Sequence, residues 1–149
     1  MEIIFKEVNV HNWEKCVDLK VSEEQKNFVA ANWYSLLEAK FYEEEELYPI
    51  AIYDGDTMVG FLMYYLDIEE GRNRWEMCRL MIDKKYQGKG YGKKTLNKLL
   101  NHIREKYGNI EFYTSIEPEN IVAQKLYESM GFKKTGEILW DEEVMMVQL

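Results

Sequence analysis

Hydrophobic residues recur at two different spacings along this chain, and the changes between them divide it into elements. Ile3 to Val8 reads as a first strand, and Asn12 is a candidate cap for a helix carrying Trp13, Cys16, Val17 and Leu19. The pattern weakens from Lys20 to Asn32. Asn32 then reads as the N-cap of a helix from Trp33 to Tyr42, with Trp33, Leu36, Leu37 and Phe41 on roughly one face. Pro49 to Tyr53 and Met58 to Leu66 are rich in strand formers and flank Asp54-Gly55-Asp56, which predicts a hairpin with a tight turn. After a polar connection from Glu69 to Asn73, Arg74 to Ile82 reads as a central strand. Its alternation sets Glu76, Cys78, Leu80 and Ile82 on one side and Trp75, Met77, Arg79 and Met81 on the other.

Beyond that strand the period becomes helical. Leu96, Leu99, Leu100 and Ile103 recur at i, i+3, i+4 and i+7, and Tyr107-Gly108 marks the stop. Ile110 to Ile116 is a further strand. Pro118 leads into a helix for which Asn120 is a good N-cap and along which Ala123, Leu126, Tyr127 and Met130 share a face. Gly131 supplies a left-handed stop, and Phe132 returns to the core. Phe132 to Leu139 and Val144 to Leu149 read as a closing antiparallel pair.

Composition narrows the function classes. At 149 residues, with 46% hydrophobic residues and two prolines, the chain has the size of one folded domain. No apolar run approaches a membrane span, and the N-terminus lacks the basic-then-apolar pattern of a signal peptide, so the cytoplasm is the expected location. Cys16 and Cys78 stand far apart without metal-ligand spacing, and His11 and His102 form no cluster, so no metal is expected. A formal charge of -8 argues against nucleic acid and for cationic partners. The run Glu43 to Glu46 follows a helix end, where the negative pole of the dipole is unfavourable to acid, so it needs solvent or a cation.

The stretch from Met81 to Gly92, M-I-D-K-K-Y-Q-G-K-G-Y-G, joins the central strand to the next helix. Gly88, Gly90 and Gly92 leave backbone amides open to an anion, and the helix start adds unpaired N–H groups and a positive dipole end. Phosphate is the natural ligand. Neither G-x-G-x-x-G nor G-x-x-x-x-G-K-S/T is met. What is met is Q-x-x-G-x-G, as Gln87, Gly90 and Gly92, and one strand later N-x-x-A-x-x-L-Y-E-x-x-G-F from Asn120 to Phe132.

Those two blocks resemble the acyl-CoA-binding motifs of the GNAT superfamily of N-acetyltransferases, and within it the chain looks most like bacterial spermine/spermidine acetyltransferases. The resemblance implies an α/β (α+β) fold with a mixed sheet of six or seven strands and about four helices, splayed where CoA enters. It implies acetyl-CoA as cosubstrate, held by Leu80, Met81 and Ile82 of the strand, Gln87, Gly88, Lys89, Gly90, Tyr91 and Gly92 of the loop, and Asn120 and Ala123. Tyr127 inherits the role of protonating the departing thiolate. Gln25, Phe28 and Glu43 fall in the segment that covers the acceptor side in such proteins. A homodimer is one assembly open to the chain, and the sequence leaves the oligomeric state undecided.

An alkylamine acceptor of pKa near 10.4 is protonated at pH 7, and reaching its free base costs roughly 4.6 kcal/mol. A carboxylate acting through water would take that proton, and Glu76, on the face read for Leu80 and Ile82, is the expected base. Related diamine acetyltransferases carry glutamate where this chain has Cys78, which reads as packing rather than as a nucleophile. The expected reaction is direct attack by a primary amine of spermine or spermidine in a ternary complex. Another small amine, an aminoglycoside or a peptide as acceptor, or a module that binds CoA without turnover, stay open.

Overall fold

A computed structural model describes residues 1–149. One seven-stranded sheet runs in the order β1-β2-β3-β4-β5-β7-β6. The strands are β1 Ile3–Glu7, β2 Leu47–Asp54, β3 Thr57–Asp67, β4 Arg74–Ile82, β5 Glu111–Ile116, β6 Lys133–Leu139 and β7 Glu142–Gln148. The helices are α1 Trp13–Asp18, α2 Asn32–Phe41, α3 Tyr91–Tyr107 and α4 Ile121–Ser129. All neighbours are antiparallel except β4 and β5, which pair in parallel through Glu76–Tyr113 and Met77–Thr114 alone. Past Met77 the two strands part, as the resemblance implies, and the site lies in the gap.

Two apolar clusters pack on opposite faces of the sheet. α3 and α4 bury Leu96, Leu99, Leu100, Ile103 and Tyr127 against Leu62, Tyr64 and Met77. On the other face Cys16 of α1 and Leu36 and Ala39 of α2 meet Ala51, Phe61, Met63 and Met81. The helical period of α3 is thus the period of its burial. Truncating any of its four aliphatic residues to alanine should cost about 2–5 kcal/mol, because the site cannot fully collapse.

Four local expectations are corrected. Asn32 opens α2 from inside rather than capping it; its amide is buried and donates to the Cys16 carbonyl at 2.8 Å, tying the two helices together. That link turns Asn32 and Ser35 inward and leaves Trp33, Leu37 and Phe41 exposed, the reverse of the apolar-face reading. Asn12 sits at the α1 cap but accepts from the Asn9 amide behind it. On β4, Met63 and Tyr64 pair with Arg79 and Met77, so Cys78 is an extra residue in a bulge. The bulge reverses the alternation: Glu76, opposite Tyr65, shares the α2 face with Met81, while Met77, Leu80 and Ile82 face α3. The premise that Glu76 shares a face with Leu80 and Ile82 therefore fails.

At the C-terminus, β7 begins at Glu142, earlier than the apolar pattern predicts. Leu139 pairs with Glu142 across a turn of Trp140 and Asp141, whose φ angles are 52° and 61°. A type I′ hairpin turn needs both central residues left-handed, and the usual Asn-Gly signal is missing here.

Candidate active site

The cleft between the parted strands has a volume of about 390 Å³ and is closed by α3, α4 and the segment around Gln25. Its floor comes from Met77 to Ile82 on one side and Thr114 to Glu117 on the other. Because β4 and β5 are parallel and diverge, the peptide groups they turn toward each other beyond Met77 have no strand partner and are free to meet a ligand.

At one end lies the glycine loop. Gly88 and Gly90 have φ of 75° and 90°, a region open to glycine and strained for other residues, and no atom stands within 4 Å of where a Cβ would be at either. The first hydrogen bond of α3 runs from the Lys94 amide to the Gly90 carbonyl at 3.2 Å. The amides before it have no helical partner, and the dipole's positive end points the same way. Gly92 serves packing instead, since a Cβ there would come within 3.1 Å of Leu126 on α4. The Gln87 amide donates to the Ile82 carbonyl at 2.9 Å and to the Gln25 side chain at 2.8 Å. Nearby, the Asp83 carboxylate accepts from the Lys20 amide, and the Lys84 amide donates to the Lys20 carbonyl. The loop is thereby stitched to the linker between α1 and α2. An open cradle of unpaired amides at a helix start fits a pyrophosphate, so these residues suit CoA.

At the other end stands Tyr127, 7% exposed, on the wall formed with Met77, Cys78 and Thr114. Burial pushes its phenol up to about 12; the Thr114 hydroxyl moderates the rise and the charge of Glu142 adds to it. Its proton is therefore retained until a stronger base appears. Asn120 caps α4 as expected, its side chain accepting from the Ala123 amide at 3.3 Å. That cap fixes the first turn and so the height at which Tyr127 meets the cleft. Burial also pushes the Cys78 thiol up to about 12, which leaves almost no thiolate at neutral pH and fits packing rather than nucleophilic attack.

Most residues predicted from the sequence come together here. Leu80, Met81, Ile82, Gln87, Gly88, Gly90, Tyr91, Gly92, Asn120, Ala123, Tyr127, Gln25 and Phe28 all line the cleft. Three do not. Lys89 lies outside with its ammonium 5.9 Å over the Tyr86 ring. Glu43 is exposed in the connection from α2 to β2, because α2 ends at Phe41 and the chain there leaves the cleft. Glu76 is buried on the α2 face of β4 behind the bulge. Burial, with Asp67 and Glu142 nearby, pushes its carboxyl up to about 8 against the opposing pull of Arg72 and Arg74.

The sequence reading passed over Thr114, Ser115, Arg79 and Glu142, which also line the cleft. Thr114 donates to the Met77 carbonyl at 3.0 Å and so bridges the last paired rung before the strands part. Arg79, directly after the bulge, is held by Glu38 at 2.8 Å and by the Cys78 carbonyl at 3.0 Å. Ser115 donates to Glu142 at 2.6 Å.

This arrangement has counterparts among known proteins. Residues 9–132 match the model of the acetyltransferase (GNAT) family. A probable spermine N(1)-acetyltransferase of Bacillus subtilis subsp. natto is 38% identical over 99% of both chains. A spermine/spermidine N(1)-acetyltransferase of Bacillus subtilis is 37% identical over the same shares. Among solved structures, spermidine N-acetyltransferase from Vibrio cholerae, in complex with CoA and spermine, superposes with a TM-score of 0.75 at 15% identity, covering 98% of this chain and 95% of that one. An aminoglycoside acetyltransferase with coenzyme A gives 0.78 at 16% identity, covering 99% and 95%. The parted strands, the glycine loop and the extent of these matches meet the expectation drawn from the two motifs: the chain belongs to the acetyltransferase (GNAT) family.

Proposed function

We propose that this protein transfers the acetyl group of acetyl-CoA to a primary amine of a polyamine, spermine or spermidine, by direct attack while both substrates are bound. The observation that carries the reading is a single cleft with a phosphate cradle at one end and the Tyr127 hydroxyl at the other. Relatives named for spermine and spermidine acetylation that match nearly the whole chain support the acceptor class.

In this reading Gly88, Gly90 and the free amides at the start of α3 bind the pyrophosphate. The edge of Leu80 to Ile82 that faces away from β3 and the first turn of α4, from Asn120 to Ala123, hold the arm that follows. The peptide groups exposed at the β4 bulge polarise the thioester carbonyl, which acquires negative charge as the amine adds. Tyr127 donates its proton to the sulfur as the carbon–sulfur bond breaks. A phenol held near 12 loses little of its donor form at any physiological pH, so donor protonation does not limit the rate. Gln25 and Phe28 form the acceptor side of the wall. Glu76 has a basicity suited to receiving a proton, but its carboxyl does not line the cleft and so does not touch the acceptor.

Purified protein assayed for acetyl-CoA consumption with spermine, spermidine, putrescine, lysine and a peptide tests the reading, with Tyr127→Phe alongside. Turnover on spermine or spermidine that collapses in the variant is the expected result. CoA binding by calorimetry without turnover on any amine would overturn it in favour of a non-catalytic CoA-binding module.

A further inference from the structure

The reaction proposed above needs a carboxylate that an acceptor nitrogen can touch, and Glu76 does not meet that need. Glu142 does. It is the acidic side chain that β7 contributes to the cleft wall, and it lies at the end where β4 and β5 begin to part. Ser115, itself in the wall on β5, donates to one Glu142 oxygen at 2.6 Å, which fixes the rotamer and leaves the second oxygen without a protein partner. Its electrostatic influence reaches both Tyr127 and Glu76.

The backbone holds Glu142 deliberately. It is the first residue of β7, directly after the Trp140-Asp141 turn whose two left-handed residues carry strain. The tip of that turn is braced from outside, with the Arg72 guanidinium 5.3 Å over the Trp140 ring and bonded to buried Asp67 at 2.6 Å. A turn with glycine or asparagine would be less strained, so the strain is compensated by contacts that set where β7 begins.

We infer that Glu142 is the catalytic residue that binds the acceptor's ammonium group and takes its proton, with Ser115 as its positioning residue; this rests on the acetyltransferase reading above. The ammonium group gives one proton to Glu142, and the free amine's lone pair forms the nitrogen–carbon bond at the thioester. As the tetrahedral adduct collapses, the carbon–sulfur bond breaks, the sulfur takes the Tyr127 proton, and the second proton of the nitrogen restores the phenol. Glu142 returns its proton to solvent. One proton is released per amide formed, and no other reactant is required.

The charged and titratable groups around this end are Glu76, Cys78, Arg79, Arg74, Asp67 and Arg72 from β3, β4 and the connection between them, Glu117 just after β5, and Tyr127 from α4. Glu142→Gln is isosteric, keeps an acceptor for Ser115 and moves none of these side chains, while removal of its charge relieves part of the upward push on Tyr127 and Glu76. The test is the pH dependence of spermine acetylation by wild type, Glu142→Gln and Glu142→Asp, with CoA affinity measured by calorimetry on each. Near pH 7.5 the glutamine variant should lose at least about 100-fold in kcat, with CoA affinity within twofold. The deficit should shrink as pH rises toward the amine's own pKa near 10.4, where the free base forms unaided. Glu142→Asp, which retains the charge one methylene further back, should fall between the two, and it carries the test if the glutamine variant does not fold. A Glu142→Gln enzyme within threefold of wild type, or a deficit that is constant with pH, overturns the assignment while wild-type turnover leaves the acetyltransferase reading standing. A wild type that acetylates no amine overturns both.

Discussion

The two ends of the cleft present different kinds of groups to a ligand. At the loop end the contacts are backbone amides shaped by Gly88 and Gly90 and aligned by α3, and the side chains there mainly brace the scaffold: Gln87 straps the loop to Ile82 and Gln25. At the far end the wall is made of side chains brought from four elements, Cys78 and Arg79 from β4, Ser115 from β5, Tyr127 from α4 and Glu142 from β7. A backbone cradle is specified by a few glycines within one short stretch of sequence. A side-chain constellation depends on the register of every strand that contributes to it. The first kind of site can be kept while acceptors change, whereas the second is where acceptors are chosen.

The sharpest way to separate the ends is Tyr127→Phe. The substitution removes one hydroxyl from a buried position and leaves the ring packed near Phe132, with centroids 5.7 Å apart. Loss of a general acid should lower kcat by about 10² to 10⁴, with acetyl-CoA affinity unchanged within about threefold. Calorimetry and steady-state kinetics on the same preparation check this. A matching loss of CoA affinity would mean that the two ends are one unit.

The next effect, on stability, concerns Glu76. Its folded pKa is raised, to about 8, so between its ordinary value and that point the folded state holds the proton more tightly than the unfolded one. Stability therefore falls as pH rises through that interval. Glu76→Gln removes the liability and should be more stable than wild type by roughly a few kcal/mol at pH 8, with little difference at pH 4. Denaturant midpoints measured at both pH values decide it, and a variant that is less stable at pH 8 would show that the buried carboxylate is ionised and compensated.

What could be read from the chain divides along the same line. The α3 register, the Asn120 cap and the loop glycines all follow from local spacing, and the structure places them as expected. The face of Glu76 does not, because one bulged residue at Cys78 reverses the alternation, and a bulge has no signature in M-C-R. Glu142 was hidden for a similar reason: W-D-E-E carries no glycine or asparagine to announce a two-residue turn, so the start of β7 could not be fixed. The α2 face was misread because a buried amide, Asn32 bonded to the α1 backbone, outweighs the aromatic stripe in orienting the helix. Glu43 followed from its place in the segment that covers the acceptor side in the resembled family, and that place does not say where this chain turns.

A smaller effect should follow at the loop. Gly90→Ala places a Cβ in open space, so it meets no steric clash, but it holds an L-residue at a φ of 90°. The strain is about 1–2 kcal/mol, which the loop can relieve by leaving the cradle geometry. Acetyl-CoA affinity should drop about tenfold, while kcat at saturating acetyl-CoA stays within about threefold of wild type.

The finest test asks whether the two ends communicate through the linker. Gln25 reaches the loop through one hydrogen bond, from the Gln87 amide at 2.8 Å, and it also lines the cleft, where the proposed function sets it against the acceptor. A partly buried neutral bond of this kind contributes about 0.5–1.5 kcal/mol. In Gln25→Ala, Gln87 keeps its bond to the Ile82 carbonyl, so the cradle should retain its shape and CoA affinity should stay within about threefold. The linker loses its tie at Gln25 but remains anchored by the Lys20 contacts to Asp83 and Lys84, so the acceptor wall loosens without detaching. The expected result is a rise of several-fold in KM for spermine alone. Gln87→Ala, which severs both bonds, should raise KM for both substrates. If Gln25→Ala instead weakened acetyl-CoA binding as much as Gln87→Ala does, the linker would belong to the cradle, and the division between a backbone end and a side-chain end would have to be redrawn around it.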